Sequence, residues 1–474
     1  MRISYKWLQD FVDTDILGID PEELGKTLTT VGLAVELIEE VGGDIIYDLD
    51  VTANRSDCLN HIGVAREIAA YHRLNLRYPD FSAPEHDPAD ELVYPASVEI
   101  IDPDLCPRYA ARVITDVEIG ESPDWLKERL ESIGQRPINN LVDITNYVLF
   151  EVGHPLHAFD YEKLDGRKIV VRRAREGESI TTLDGIERTL DSSMLAICDD
   201  SRPAAVAGIM GGLDSEIEYA SSTILLESAY FEPVSIRKTA RALGMSTEAS
   251  FRFERGADPQ GVVDALNLAT RLITDLCGGR CVSPVIDENP APHVSGELVL
   301  HHEQIKRLLG IEIPQEQVVD ILKHLEFKPE ISKGGSVAVR VPGYRSDIEF
   351  EADLVEEVAR HHGYENIPGT YPRPAVPGRV SPLAEAEKRA VRFLVDNGFY
   401  ESVNYSLTTP AEEGLFLGKP SAMTALSNPL TEDATHLRTT LVPGMIRSLG
   451  RNLNLGNNDV RIFELGNVFP SDDG

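Results

Sequence analysis

The sequence predicts a multidomain chain of the α+β class, and three observations lead there. At 474 residues it exceeds what one hydrophobic core organises. Capped helical stretches occur beside short runs of period-two hydrophobicity. Three linkers rich in Pro, Asp and Ser interrupt the pattern: YPDFSAPEHDPADELVYPAS (78–97), ENPAPHVSG (288–296) and PGTYPRPAVPGRVSP (368–382). They bound four expected modules, at 1–90, 98–286, 293–369 and 382–474, with no internal repeat.

The elements follow in order. In the first module, Asp20-Pro21-Glu22-Glu23 supplies an N-cap, a proline at the first helical position and a capping-box acid. In the second, Ser122-Pro123 opens a helix that ends near Gly134. KIVVRRA (168–174) and TILLESAYF (223–231) alternate as strands do. LNLATRLITDLCGG (266–279) is a helix with a glycine stop. The third module is a small helix–helix–strand–helix pattern. In the fourth, a Ser-Pro-capped helix (381–397) leads into GFYESVNYSL, an alternating strand. NDVRIFELGNVFPSDDG stops just after a strand, so the last module is expected to be incomplete.

Composition narrows the function. A net charge of −33 repels phosphate, so the chain alone should bind nucleic acid poorly. Either nucleic acid is irrelevant, a partner supplies basic surface, or the charge adapts the protein to high salt. No run of 18 apolar residues spans a membrane, and MRISYKWLQDF is not a signal peptide. Cys58, Cys106, Cys198, Cys277 and Cys281 form no CxxC pair, which fits a reducing cytoplasm. CGGRC (277–281) is read as a buried or incidental thiol pair rather than a metal site.

Nucleotide motifs fail: there is no GxxxxGK[ST] and no GxGxxG. His61-Ile62-Gly63-Val64 approaches a HIGH signature but lacks its context and is read as chance. TNYVLFEVGHPLHAFD (145–160) holds His154, His157 and Asp160. Pro155 argues against one helix face presenting both rings, so ordinary loop histidines are favoured over metal. GIMGGLDSE (208–216) is a tight turn or a close backbone approach. Glu227 sits in the apolar run ILLESAY, where a carboxylate is costly unless bonded, functional or turned to water.

RSDIEFEADLVEEVAR (345–360) crowds six carboxylates into eleven positions: Asp347, Glu349, Glu351, Asp353, Glu356 and Glu357. Like charges three and four apart repel by roughly 0.2–0.5 kcal/mol per pair. Ser346-x-x-Glu349 is read as a capping box that starts a helix near Asp347. Ile348, Leu354, Val355, Val358 and Ala359 form its buried face, with Asp353, Glu356 and Glu357 opposite. Geometry alone favours a solvated face over a cation site.

Seven motifs in order carry a resemblance. TNYVLFEVGHPLHAFD, LDG (183–185), GIMGG, LLESAYF, STEASFRFERG (246–256), RSDIEFEADLVEEVARHHGYENIP and LRTTLVPGM (437–445) together resemble the bacterial-type phenylalanine–tRNA ligase (phenylalanyl-tRNA synthetase) β-subunit family. The resemblance implies an N-terminal α/β module, a mixed tRNA-editing domain and a small helical, winged-helix-like module that bridges metal. It implies a partial, non-catalytic class II aminoacyl-tRNA-synthetase-like core at the end. The activity it implies is ATP-dependent charging of tRNA(Phe) by an α subunit within a tetramer of two α and two β subunits. The β chain would hydrolyse mischarged Tyr-tRNA(Phe).

Carried over residue by residue, the resemblance places the editing pocket on Thr145, Asn146, His157, Gly208, Gly211, Glu227, Thr247 and Ala249. Glu227 would accept the tyrosine hydroxyl's hydrogen bond, while Ala249 and the glycines leave room for the ring. His157, Thr145 and Asn146 would hold the ester end and orient a water. The resemblance also makes Asp347, Asp353, Glu356 and Glu357 ligands of a Mg²⁺ shared with the α subunit, which suits hard oxygen donors. Without the partner the four carboxylates should repel each other, so removing Asp353 and Glu357 together should barely change, or slightly raise, the free chain's stability. Two departures stand out. VGLAVELIEEVGGDIIYDLDVTANRSDC leaves no room for the family's inserted OB-fold module, and the C-terminal anticodon-binding part is absent. Both weaken the expected tRNA binding. A free-standing hydrolase of mischarged tRNA is the alternative, and a non-enzymatic scaffold with a decayed pocket is a third reading.

Overall fold

Local signals set the helices. Helix Pro21–Thr30 starts as expected, with the Asp20 carboxylate accepting the Glu23 N–H at 2.8 Å. Helix Asp124–Ser132 follows Pro123, and helix Val262–Cys277 stops at Gly278, whose φ of 67° is the left-handed conformation that favours glycine. Helix His61–His72 is capped by Asn60, whose Oδ1 accepts the Gly63 N–H at 2.7 Å. His61 itself is core: Nε2 accepts the Ser4 N–H at 3.1 Å and the ring stacks on Trp7 at 4.0 Å. Burial pushes its pKa down to about 3. The HIGH-like string is therefore a packing feature.

The structure, a computed structural model, describes residues 1–14, 18–82, 84–371, 378–417 and 423–470. Residues 372–377 of the third linker lie outside that set. By packing, the chain divides into two units, Met1–Gly369 and Thr370–Gly474. In the first unit the linkers separate segments without separating cores. Trp7, Leu28 and Ile62 share one apolar cluster with Leu130, Ile144 and Leu266.

Several sheets organise this unit. Strand Asp44–Asp50 is flanked by Arg2–Ser4 and Ala34–Val41. A five-stranded sheet runs Met210–Gly211, Pro203–Val206, Leu195–Cys198, Lys168–Arg173, Ser97–Ile100. A second runs Arg280–Cys281, Arg108–Thr115, Ile224–Tyr230, Leu156–Asp160, with Ile286–Glu288 also paired to Arg108–Thr115, and both run through the middle segment. The 298–364 region adds a three-stranded sheet, Glu297–Leu300, Val337–Arg340 and Lys328–Ile331, so it holds two more strands than its sequence pattern suggests. Its apolar cluster, with Ile321, Val339, Leu354 and Val358, also takes in Ala70 of the first module.

The second unit contains helices Pro382–Asp396, Pro410–Leu417 and Val442–Asn454 and two short ladders. Ser381 caps the first helix as expected, accepting the Ala384 N–H at 3.1 Å. The predicted GFYESVNYSL strand is split: Tyr400–Glu401 pairs in parallel with Ile462–Phe463, and its last residue, Leu407, pairs antiparallel with Leu437. All five cysteines are free and buried, Cys277 and Cys281 of CGGRC included.

The acidic stretch corrects two expectations. Helix Glu351–His362 begins four residues after Asp347. Asp353, not Ser346, caps it: Oδ2 accepts the N–H groups of Glu349 (2.9 Å) and Phe350 (2.7 Å). Glu357 does not face water. Its Oε2 accepts from Arg345 at 2.6 Å and from Arg360 at 2.7 Å, and the side chain is 3% exposed. Asp347 takes both remaining Arg345 donors at 2.9 Å. Arg360 reaches across to Glu67 at 2.9 Å, and Glu67 also binds Arg55 and His361. Burial opposes ionising Glu67, yet Arg360, Arg55 and His361 hold its carboxyl well below the ordinary range.

Glu357→Ala would strand two buried guanidinium groups, so it should lose about 3–5 kcal/mol of stability. Exposed Glu356→Ala should change it by less than about 0.5 kcal/mol. The Asp353/Glu357 double variant should then be strongly destabilised, reversing the expectation from like-charge relief. Urea unfolding of the three variants checks this, and equal small effects would reject the buried network.

Candidate active site

Antiparallel pairing builds the site. In strand Ile224–Tyr230, Glu227 lies directly opposite His157 on one neighbour and Ala111 on the other. Residues opposite each other share a face with Cβ atoms roughly 4.5–5.5 Å apart. Tyr109 is two residues from Ala111, on the same face and within diagonal reach. Its hydroxyl donates to Glu227 Oε2 at 2.7 Å.

Around this pair is a small cleft of about 70 Å³. His157, Gly208, Gly211, Glu227, Ala249 and Phe253 contribute to its lining, with Ile197, Val206 and Ile209 among the apolar walls. A space of that size suits one side chain rather than a nucleotide. Two glycines are required by close approach. A Cβ on Gly211 would lie 2.4 Å from His157 Cε1 and 2.6 Å from Nε2. Gly208 has φ +66°, and its Cβ would press at 3.0 Å on Ile236, Phe231 and Phe253.

Five of the eight carried-over residues meet here: His157, Gly208, Gly211, Glu227 and Ala249. Three do not line the cleft. Thr145 and Asn146 lie half-buried on helix Asn140–Val152, and the Thr145 hydroxyl donates back to the Val142 carbonyl at 2.8 Å. Thr247 has a supporting place: its hydroxyl donates to the Ile209 carbonyl and accepts the Ser250 N–H, each at 3.0 Å. It thereby pins the start of helix Glu248–Phe253, which carries Ala249, to the glycine turn. Tyr109 and Phe253 were not singled out from sequence. Tyr109 becomes visible only once strand register is known.

Electrostatics separates the two polar groups. Burial pushes the Glu227 carboxyl up to about 8, against the lowering effect of the Tyr109 bond. Burial pushes His157 down to about 4, so the ring is neutral near pH 7. Its Nε2 is shielded from solvent and has no protein partner. His154 is a buried ring set edge-on to Phe253 at 6.2 Å, pushed down to about 4, and does not line the cleft.

The carboxylates implied for Mg²⁺ are not arranged as a coordination sphere. Asp347 and Glu357 are bound to arginine, Asp353 caps a helix and Glu356 is exposed. Among the described residues, only Asp57, Cys58 and Glu67 bring three possible ligand atoms within 4.8 Å of one another. Arg55 Nη2 already donates to all three, so a guanidinium supplies the positive charge there. The residues present do not fit the ion as they stand.

Residues 105–278 match the B3/4 domain, 298–364 the tRNA synthetase B5 domain and 367–474 the phenylalanyl tRNA synthetase beta chain CLM domain. A phenylalanine–tRNA ligase beta subunit of Syntrophus aciditrophicus is 45% identical over 438 residues, covering 90% of this chain and 54% of the relative. One from Geobacter sulfurreducens is 44% identical over 461 residues, covering 96% and 57%. An N-terminal fragment of the phenylalanyl-tRNA synthetase beta-subunit from Pyrococcus horikoshii aligns over 76% of this chain and 99% of its own, at a TM-score of 0.43 and 15% identity. The chain spans about half the length of the curated relatives it matches. It belongs to the phenylalanine–tRNA ligase beta-subunit family. No helix among the described residues is long and apolar enough to cross a membrane.

The raised Glu227 pKa has a stability consequence. The fold favours the protonated acid, so its contribution is complete below the unfolded value near 4.5 and is lost as pH rises towards about 8. Glu227→Gln removes that loss. Its stability relative to the parent should therefore rise between pH 5 and pH 9, by on the order of a few kcal/mol. Parallel denaturation curves across that range check it, and a difference independent of pH would show that Glu227 is not buried as the neutral acid.

Proposed function

We propose that this chain is an editing portion of a phenylalanine–tRNA ligase β subunit, and that its cleft hydrolyses tyrosine mistakenly attached to tRNA(Phe). The observation that carries the reading is Glu227, a carboxyl group 6% exposed in an apolar strand yet presented to a ring-sized cleft. A synthetic site for phenylalanine cannot strongly reject tyrosine, which only adds a hydroxyl. A second site that hydrogen-bonds the hydroxyl can, because a bare ring leaves its buried polar group unpaired.

The residues divide the work. Glu227 reads the phenol. Ala249, Gly208 and Gly211 leave the ring its space. His157, neutral and with Nε2 unpartnered, accepts a hydrogen bond from the attacking water and orients it. Orientation supplies most of its effect, since a group with a pKa near 4 is a weak base at neutral pH. Water's oxygen bonds to the ester carbonyl carbon, the ester C–O bond breaks, and the terminal hydroxyl of the tRNA leaves with the proton. Thr247 holds the wall on which Ala249 sits, and Thr145 and Asn146 stand outside the cleft.

ATP-dependent charging belongs in this reading to an α subunit in a tetramer of two α and two β chains. The chain's lack of a nucleotide motif supports that division. So does the apolar surface of the 370–474 unit, where Leu383 is 70%, Phe393 67% and Leu415 79% exposed. The same surface favours a partnered chain over a free-standing hydrolase. No step is routed through Mg²⁺.

Transfer RNA has little positive surface to meet. The basic run RRAR (172–175) is largely neutralised: Arg172 pairs with Glu178, and Arg173 with Asp102 and Asp104. Arg237, Lys238 and Arg241 are exposed on helix Pro233–Ala242 without ion pairs, beside Ile236, which packs near Gly208. The chain alone should therefore bind tRNA weakly, with a shallow salt dependence; tight binding with a steep slope would contradict this.

Deacylation tests the function. Glu227→Ala should slow clearance of tyrosine-charged tRNA roughly tenfold, the worth of a lost hydrogen bond to a buried group, and relax discrimination against phenylalanine-charged tRNA. His157→Ala should slow clearance without relaxing discrimination. Tyrosine clearance by Glu227→Ala at the parent rate would overturn the reading.

A further inference from the structure

We propose that Tyr109 is the positioning residue of the cleft, holding Glu227 Oε2 so that Oε1 meets the hydroxyl of a bound phenol. This rests on the reading of the cleft as a site for tyrosine esters. The geometry is specific. Tyr109 is 0% exposed, its ring packs in the apolar cluster with Phe159, Phe231 and Phe253, and its hydroxyl donates to Oε2 at 2.7 Å. Oε1 has no hydrogen-bond partner among the described residues, and Glu227 lines the cleft. The protein thus binds one phenol permanently on one carboxyl oxygen and leaves the other oxygen for a second.

This arrangement makes recognition independent of the acid's charge state. Tyr109 is a donor to Oε2, so a proton on Glu227 is directed to Oε1. When Glu227 is ionised, Oε1 accepts from a substrate phenol. When it is protonated, Oε1–H donates to the phenol's oxygen. A phenyl ring can do neither. The other titratable neighbours leave Oε1 unpaired: the buried Cys106 thiol donates to the Arg108 carbonyl at 3.5 Å, and His157, on the facing strand, makes no hydrogen bond to Glu227 among the described residues.

Tyr109→Phe keeps the buried ring and removes only the hydroxyl. Tyr161→Phe, which loses a buried phenol bonded to the Pro95 carbonyl at 2.8 Å, is the control. Two measurements on the full chain decide the matter. The first is the infrared carbonyl band of the protonated Glu227 acid, identified by its loss in Glu227→Gln. In Tyr109→Phe the band should move to higher frequency and its titration midpoint should rise, because a donor to the carboxylate has gone; Tyr161→Phe should leave both in place. The second is deacylation of tyrosine- and phenylalanine-charged tRNA. Tyr109→Phe should lower the tyrosine preference roughly tenfold, chiefly through KM, because the contact selects rather than reacts. An unmoved band overturns the proposal. So does a moved band with undiminished preference in a chain that prefers tyrosine. A parent chain with no tyrosine preference overturns the editing reading instead, and the band then still decides whether Tyr109 sets Glu227.

Discussion

The first unit depends on a buried ion network that joins sequence-distant segments. Arg360, from the 298–364 region, binds Glu67 of helix His61–His72 and donates to the Val31 carbonyl. Arg55 and Arg345 close the two ends of the chain of pairs, on Asp57 and on Asp347. Every side chain in it is less than 10% exposed. Buried pairs of this kind add little net stability over apolar packing, because desolvation offsets most of the attraction. What they impose is selectivity. A misdocked module would leave a buried charge unpaired, which is far more costly than a misplaced leucine.

That constraint explains why the acidic stretch misled a reading from spacing. A wheel places Glu357 beside Glu356, and both are glutamates. Nothing local says that two arginines, one twelve residues before and one three residues after, converge on the first and not the second. The apolar face of the same helix was legible, since Leu354, Val355, Val358 and Ala359 are all buried as their period requires. Helix caps built from neighbours in sequence, such as Asp20, Asn60 and Ser381, are equally local. The Asp353 cap replaced the expected Ser346 box because the backbone at 347–350 is shaped by the Arg345 pairs before the helix starts.

The cleft was legible in part for a related reason. His157, Glu227, Gly208, Gly211 and Ala249 were carried by motifs, and the fold brings them together. Tyr109 was not, because its link to Glu227 is a diagonal across two strands 118 residues apart in sequence. Thr145 and Asn146 belong to the same motif as His157, but the helix ends at Val152, and the chain turns through Gly153 before the strand that carries His157 begins. Motif continuity along the chain is not continuity in space.

Two carboxyl groups show how the same chemistry is set to opposite ends. Glu67 and Glu227 are each buried, and burial alone would keep both protonated. Glu67 faces two guanidinium groups and is held ionised, which commits it to fixed partners on all sides. Glu227 faces only a phenol, a donor too weak to offset burial, and it is pushed up to about 8. An ionised, fully paired acid has nothing left to offer a ligand. An acid with one oxygen held and one free does, and its desolvated setting makes the missing bond costly when a ring without a hydroxyl enters. The fold therefore uses arginine where a carboxylate must stay silent and tyrosine where one must remain available. By that criterion the carboxylates of the 345–360 stretch that pair with Arg345 belong to the scaffold, while Glu227 keeps one oxygen unpaired at the cleft.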